Sequence, residues 1–325
     1  MRRREFITGL ITTAGWPLNV SAQQAALRAG FLPLGSPSNG YDQSLVESFR
    51  QGLRDVGVVE NRDIVLDIVW INDEAEIPRA LTELMERGAG LLIPCGAGAS
   101  VAAKRQVSTI PILFIDVFDP IGVGLIESFS RPGGNVTGLS DMHPDLTGKY
   151  VQFATALDKP QTTVNYLWFG GSPSGQYRLR VTEEAAQSVR VDLQSRVIGD
   201  ISELDDALAE MKARGAATVI VQSSAFTFRH RGQLIDAAMN HRIALIYGFP
   251  PAAREGALIA FGPDYGTLYY RAASYVKRML QGAKPSDLPV EQPTRFKLVI
   301  NLKAAKALGI TIPVTLITAA DEVIE

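Results

Sequence analysis

A single cysteine, Cys95, excludes any disulfide within the chain, so the fold must rest on its apolar core. Histidine is nearly as scarce. His143, His230 and His241 share no metal-ligand spacing and are read as surface or capping residues. No sign of charge dominates, with 32 Lys+Arg against 34 Asp+Glu and a net charge of −2. There is no basic stripe, which excludes nucleic acid as a partner and leaves an anionic lipid surface unsupported. Catalytic signatures are missing too. Gly148-Lys149 has His143 where a P-loop needs its first glycine. Gly170–Gly175 carries Ser172 but puts Ser174 in the last glycine slot of a Gly-x-Ser-x-Gly elbow.

What is present is an ordinary globular composition, 46% hydrophobic and 20% charged over 325 residues, enough for two α/β lobes. The first 22 residues stand apart. Arg2-Arg3-Arg4 is a positive start, Phe6 to Leu18 is mostly apolar but too short to anchor in a bilayer, and Val20-Ser21-Ala22 fits a cleavage site. Residues 1–22 are therefore expected to be an export signal, and Arg3-Arg4-Glu5-Phe6-Ile7 resembles a twin-arginine signal. The alternative is an amphipathic helix of a cytosolic protein. Losing three Arg and one Glu would leave a mature net charge of −4. With no cysteine near the cleavage point, a lipoprotein is excluded and a free periplasmic protein expected.

The body of the chain is organised around Ile110 to Gly138. Ile110–Ile115 is a β-branched apolar run, read as a buried parallel strand. It delivers Asp116, Phe118 and Asp119 to a loop, where open α/β sheets build ligand sites. Ile121–Ser130 is read as a short helix stopped by Arg131-Pro132-Gly133-Gly134. Before it, strands at Arg28–Leu34, Asp63–Trp70 and Leu91–Pro94 alternate with helices at Tyr41–Val56 and Ile77–Arg87. After it the alternation restarts: strands at Thr163–Phe169, Val191–Val197, Ala217–Val221 and Ile243–Tyr247, and helices at Gln176–Ser188, Ile201–Arg214 and Phe226–His241. This repeat of architecture predicts two doubly wound parallel lobes with a cleft between facing strand ends. A strand at Ala257–Phe261, a helix at Leu268–Gln281, the connector Gly282–Pro293 and a strand at Phe296–Ile300 remain. A remainder of that size predicts that the chain crosses between lobes more than once.

Gly96-x-Gly98 follows a strand and opens a helix, with Asp116 18 residues beyond Gly98, but the third glycine position is Val101 and the motif follows the third strand. It fits a dinucleotide fingerprint poorly. Its free amides, flanked by Cys95 and Ser100, suit a carboxylate instead. Asp116 and Asp119 are spaced for an acid–base pair. The plainer reading makes Asp116 a capping or hinge residue and points Asp119 at the cleft. Phe31, Phe118, Phe169, Phe226 and Tyr247 gather at strand ends and are individually core residues, together a possible aromatic wall.

Several stretches are shared with a known family: residues 48–64 (SFRQGLRDVGVVENRDI), 108–114 (STIPILF), 119–138 (DPIGVGLIESFSRPGGNVTG), 282–313 (GAKPSDLPVEQPTRFKLVINLKAAKALGITIP) and the closing ADEVIE, with MRRREFI at the start. The chain thereby resembles the ABC-transporter solute-binding family related to tryptophan- and tyrosine-type uptake proteins. The resemblance implies a type I periplasmic binding fold, two Rossmann-like lobes joined by three hinge crossings. It places residues 23–138 with 263–283 in one lobe and 139–262 with 284–325 in the other. It implies a pocket drawn from Ser36, Gly96, Gly98, Ala99, Ser100, Phe118, Asp119, Ser172, Ser223, Ser224, Tyr247 and Asp264. The sequence departs from the family in GGSPSG at 170–175, where an Asn-rich loop is common, and in bulky Val117 and Phe118. The expected function is a non-enzymatic periplasmic receptor that closes on a small ligand, an amino acid or aromatic carboxylate, and delivers it to a membrane permease with its ATPase. Its ligand would set its carboxylate on Gly98–Ser100, a cationic group on Asp119 or Asp264, and an apolar part on Phe118. No metal or cofactor is expected. An exported enzyme acting through Asp116 and Asp119, or a ligand-sensing partner of a membrane receptor, are the alternatives.

Overall fold

The computed structural model describes residues 25–71, 74–141, 144–157 and 163–325. The expected export signal and His143 lie outside the described residues. Among the described residues, twelve strands form two sheets. The first sheet contains β1 (Leu27–Leu32), β2 (Ile64–Ile68), β3 (Leu91–Pro94), β4 (Ile112–Val117) and β5 (Val136–Ser140), all parallel, in the order β2-β1-β3-β4-β5. The second contains β6 (Thr163–Phe169), β7 (Asp192–Ile198), β8 (Thr218–Val221), β9 (Ala244–Tyr247), β10 (Ile259–Pro263), β11 (Phe296–Asn301) and β12 (Glu322–Ile324). Its order is β12-β11-β10-β9-β8-β6-β7, with β11 antiparallel to β10 and β12 parallel to β11. The run β7-β6-β8-β9-β10 repeats the strand order of the first sheet, so each lobe is a doubly wound sheet.

Helices cover these sheets: α1 (Gly40–Asp55), α2 (Ile77–Glu86), α3 (Ala97–Gln106), α4 (Gly148–Ala156), α5 (Gly175–Ser188), α6 (Leu204–Ala213), α7 (Ala225–Arg229), α8 (Arg231–Asn240), α9 (Pro250–Glu255), α10 (Tyr265–Leu280), α11 (Leu302–Leu308) and α12 (Val314–Ala319). No helix among the described residues is long and apolar enough to cross a membrane. The continuous apolar runs make buried strands, as parallel sheets covered on both faces require. All six residues of β4 are buried.

The chain passes between lobes three times. It leaves the first after β5, returns from β10 into α10, and leaves again before β11. That α10 belongs to the first lobe is clear from its packing on α1 and from Tyr269, whose ring lies 6.2 Å from Phe31. The last crossing falls later than residue 284. Thr137 Oγ1 donates to Leu288 O at 2.6 Å, Val290 N to Phe129 O at 2.7 Å and Glu291 N to Gly138 O at 3.2 Å, which binds the connector to β5 as far as Glu291.

Two expectations fail locally. Residues 121–130 form turns, not a helix. Asp119 and Gly124 take positive φ of 46° and 75°, and a Cβ on Gly122 would meet the Asp119 carboxylate at 1.8 Å, so no regular helical ladder can start. The segment 226–241 is two helices parted at His230. The tail after Ile310 holds α12 and the edge strand β12.

Gly52 sets how closely α10 approaches α1. A Cβ there would lie 2.3 Å from Tyr270 O and 2.9 Å from Ala273 Cβ. Gly52→Ala gains about 1 kcal/mol of helix propensity but forces two backbones apart. Overpacking of this kind costs about 1–3 kcal/mol, so urea unfolding of Gly52→Ala is expected to show a net loss of stability.

Candidate functional site

Between the lobes lies a small cavity of about 30 Å³. The first lobe lines it with Glu74, Gly96, Ala97, Gly98, Asp116 and Phe118, and the second with Ser172, Pro173, Ser174, Arg178, Ser223, Ser224, Ala225 and Phe249, while Asp141 stands at the crossing after β5. Each group is delivered by the carboxyl end of a strand or by the loop or helix that follows it. Gly96 turns the chain from β3 into α3 and lies opposite Ala225 of the second lobe. Its φ is 80°, and a Cβ on it would come within 3.4 Å of Ala225 Cβ on α7. The helix that Gly96 opens, α3, leaves its first amides without helical acceptors, as every helix start does. Glu74 lies against that end: a Cβ on Gly98 would be 3.7 Å from its carboxylate.

Asp116 is the most unusual residue of the site. The register of β4 with β5 shifts between Ile115 and Val117, and Asp116 takes φ of 64°. Such a conformation costs a non-glycine residue about 1–2 kcal/mol and here turns the side chain out of the sheet into the cavity. Asp116 is only 7% exposed, and its carboxylate makes no hydrogen bond among the described residues. Burial pushes its carboxyl well above the usual range. Asp141 adds to the rise, and Arg178 opposes it.

Arg178 reaches the cavity from α5. Its Nη2 donates to Asp141 Oδ2 at 3.0 Å, and the guanidinium carbon lies 3.6 Å from the centre of the Phe118 ring. Both members of the ion pair are about 6% exposed. The Nε of Arg178 is buried without a partner among the described residues. One residue of the second lobe thus holds both the crossing and the wall of the first.

A second tie joins the lobes beside the cavity. Asp42 on α1 accepts from Arg231 Nη2 on α8 at 3.0 Å, and both are almost fully buried. Arg231 also donates to Glu255 at 3.0 Å and to Phe228 O at 2.9 Å. The loop after β1 wraps this pair: Ser36 N donates to Asp42 Oδ2 at 2.9 Å, and Gly35 sits where a Cβ would meet that oxygen at 2.0 Å.

Of the residues expected at the pocket, Gly96, Gly98, Phe118, Ser172, Ser223 and Ser224 line the cavity. The other six are placed elsewhere. Ser36 supports Asp42. Ala99 is packed in the first-lobe core, and Ser100 turns back along its own helix, its hydroxyl donating to Gly96 O at 2.7 Å. Asp119 accepts from Gly122 N at 2.9 Å, stabilising its own turn. Tyr247 is fully buried in the second lobe, with its hydroxyl donating to Thr227 O. Asp264 caps α10 through Thr267 N at 3.2 Å and pairs with Lys297 at 2.6 Å. The roles read for the two aspartates are exchanged: Asp116 faces the cavity and Asp119 caps a turn. Reading the sequence missed Glu74, Asp141 and Arg178. Asp141 had a signal, since it follows the carboxyl end of β5. Arg178 had none, because an arginine inside a helix is ordinarily a solvent-facing residue.

Among the described residues no group of His, Cys, Asp and Glu is arranged to hold a metal. The arrangement suits a small ligand bearing an amine: a buried carboxylate that accepts no hydrogen bond, beside amide donors.

A family model described as "ABC transporter substrate binding protein" matches residues 40–324. A curated relative, "Tyrosine-binding protein" of Clostridioides difficile (strain R20291), is 22% identical over 264 residues, covering 81% of this chain and 75% of the relative. Among solved structures, the "ABC domain in complex with L-Trp" from Streptococcus pneumonia matches with a TM-score of 0.84 at 21% identity, over 92% of this chain and 100% of that one. A conserved domain protein of Vibrio cholerae O1 biovar El Tor matches with the same TM-score at 22% identity and the same coverage. The fold is therefore that of a type I periplasmic binding protein.

The raised carboxyl of Asp116 sets a sign for stability. Between the ordinary aspartate value of 3.8 and the raised folded value, the folded chain holds a proton that the unfolded chain has released. The contribution of Asp116 to stability is thus full below about pH 4 and is lost as pH climbs through the folded value. Asp116→Asn removes this loss. Urea titrations of ligand-free protein are expected to coincide near pH 4 and to show the variant increasingly more stable toward pH 8.

Proposed function

This chain belongs to the ABC transporter substrate-binding protein family, and from that premise we propose that it is the exported solute receptor of an ABC uptake system, closing on an amino acid between its lobes. The observation that carries this reading is Asp116: a carboxylate 7% exposed, turned into an inter-lobe cavity, with no hydrogen bond among the described residues. A buried charge left alone is costly, and an ammonium group from a ligand supplies what is missing. The ligand's carboxylate takes the first amides of α3. Touching both lobes, the ligand stabilises the closed arrangement to the extent of its contacts with both. The closed form is then the one presented to a membrane permease and its ATPase. The export-signal reading of residues 1–22 supports a periplasmic location. The relatives described as tyrosine-binding and as bound to L-Trp support an amino acid as ligand.

The reading as an exported enzyme loses its chemical pair, since Asp119 bonds to Gly122 N and does not line the cavity. A ligand-sensing partner of a membrane receptor would use the same closure. An adjacent permease gene separates transport from sensing.

Native mass spectrometry of protein taken from the envelope of its own host is expected to show one bound small molecule of constant mass. Small-angle scattering should then show expansion when that molecule is removed and compaction when it is returned. No bound mass, together with scattering unchanged by amino acids, would overturn the reading.

A further inference from the structure

The cavity is acidic, and its aromatic wall is already covered. Among the described residues its lining holds three carboxylates, Glu74, Asp116 and Asp141, against the single guanidinium of Arg178. Arg178 is bonded to Asp141 and lies over Phe118, occupying the ring face on which a ligand's aromatic group would stack. The cavity measures only about 30 Å³. At roughly 10–15 Å³ per water, that is space for about two or three. An indole or phenol ring enters only if Arg178 lifts from Phe118, giving up a desolvated cation–π contact and disturbing a buried ion pair.

We propose, building on the receptor reading above, that the cavity selects a compact, non-aromatic molecule carrying a protonated amine, with Asp116 as counter-ion and the Arg178–Phe118 stack as the plug that keeps aromatic side chains out. The amine is the required group. The excess of carboxylates makes an acid without an amine a poor ligand, whereas a compact amine without a carboxylate is accepted. Specificity therefore rests on two residues of the first lobe, Asp116 and Phe118, and one of the second, Arg178.

Isothermal titration of the ligand-stripped protein with glycine, L-alanine, ethanolamine, propionate, L-tyrosine and L-tryptophan tests this. The three compact amines are expected to bind, with propionate and both aromatic amino acids at least about 100-fold weaker than the best of them. In Phe118→Ala the plug loses its platform, and the gap between L-alanine and L-tyrosine should narrow at least tenfold. L-tyrosine or L-tryptophan binding as tightly as the compact amines, with compaction on scattering, would overturn the proposal and leave the receptor reading intact. Propionate matching L-alanine would overturn it as well. Binding by none of the six would overturn the proposal, while the receptor reading stands or falls on the mass recovered from the native protein. If Phe118→Ala fails to fold, the ranking on the parent protein decides alone.

Discussion

The Arg178 guanidinium, fixed between the Asp141 carboxylate and the Phe118 ring, is the contact on which the arrangement of the two lobes at the cavity depends. It comes from the second lobe, reaches the first crossing, and covers a wall of the first lobe. A buried pair of this kind adds little net stability over an apolar replacement, but breaking one side of it costs about 3–5 kcal/mol. It therefore acts on conformation: lobes that separate must leave Phe118 without its cation. Asp42 and Arg231 repeat the same logic next to the cavity. The Asp42–Arg231 pair and the Arg178–Phe118 stack both span the lobes, and both constrain how the lobes meet.

Asp116 sits differently. It is held by a bulge in β4 and a left-handed backbone, and the field of Asp141 disfavours its charge. Strain and an unmatched carboxylate at the same residue are costs that a folded core would not carry without a use. Arg178 offsets part of that cost, and a ligand amine would offset the rest. On the proposed reading, a ligand amine takes the place of the proton that burial makes Asp116 hold in the ligand-free chain.

The architecture was legible because parallel strands buried on both faces appear as short β-branched runs, and because a helix such as α1 keeps a clear apolar stripe through Leu45, Phe49 and Leu53. In the second lobe the strand–helix alternation alone repeated the first. The edge strand β12 escaped notice: it is three residues long and pairs with Val299, Ile300 and Asn301 of β11. The false helix at 121–130 had suitable apolar spacing, but its two glycines and the left-handed Asp119 decide otherwise. At the site, glycines and serines following strands could be placed, since their position comes from the topology. The charged residues could not. Asp116 and Asp119 are equally acidic in sequence, and only the bulge in β4 determines which one enters the cavity. Arg178 becomes visible only when α5 is seen to turn its Arg178, Thr182 and Ala186 face inward.

The central claim is that Asp116 is the counter-ion of the ligand. Its most direct test is the dissociation constant of Asp116→Asn for the molecule recovered from the native protein, measured against the parent by calorimetry. Removing one partner of a buried, hydrogen-bonded charge pair costs about 2–5 kcal/mol, so the account predicts affinity weaker by at least about 30-fold in a variant that remains folded. Affinity retained within a few-fold would contradict it.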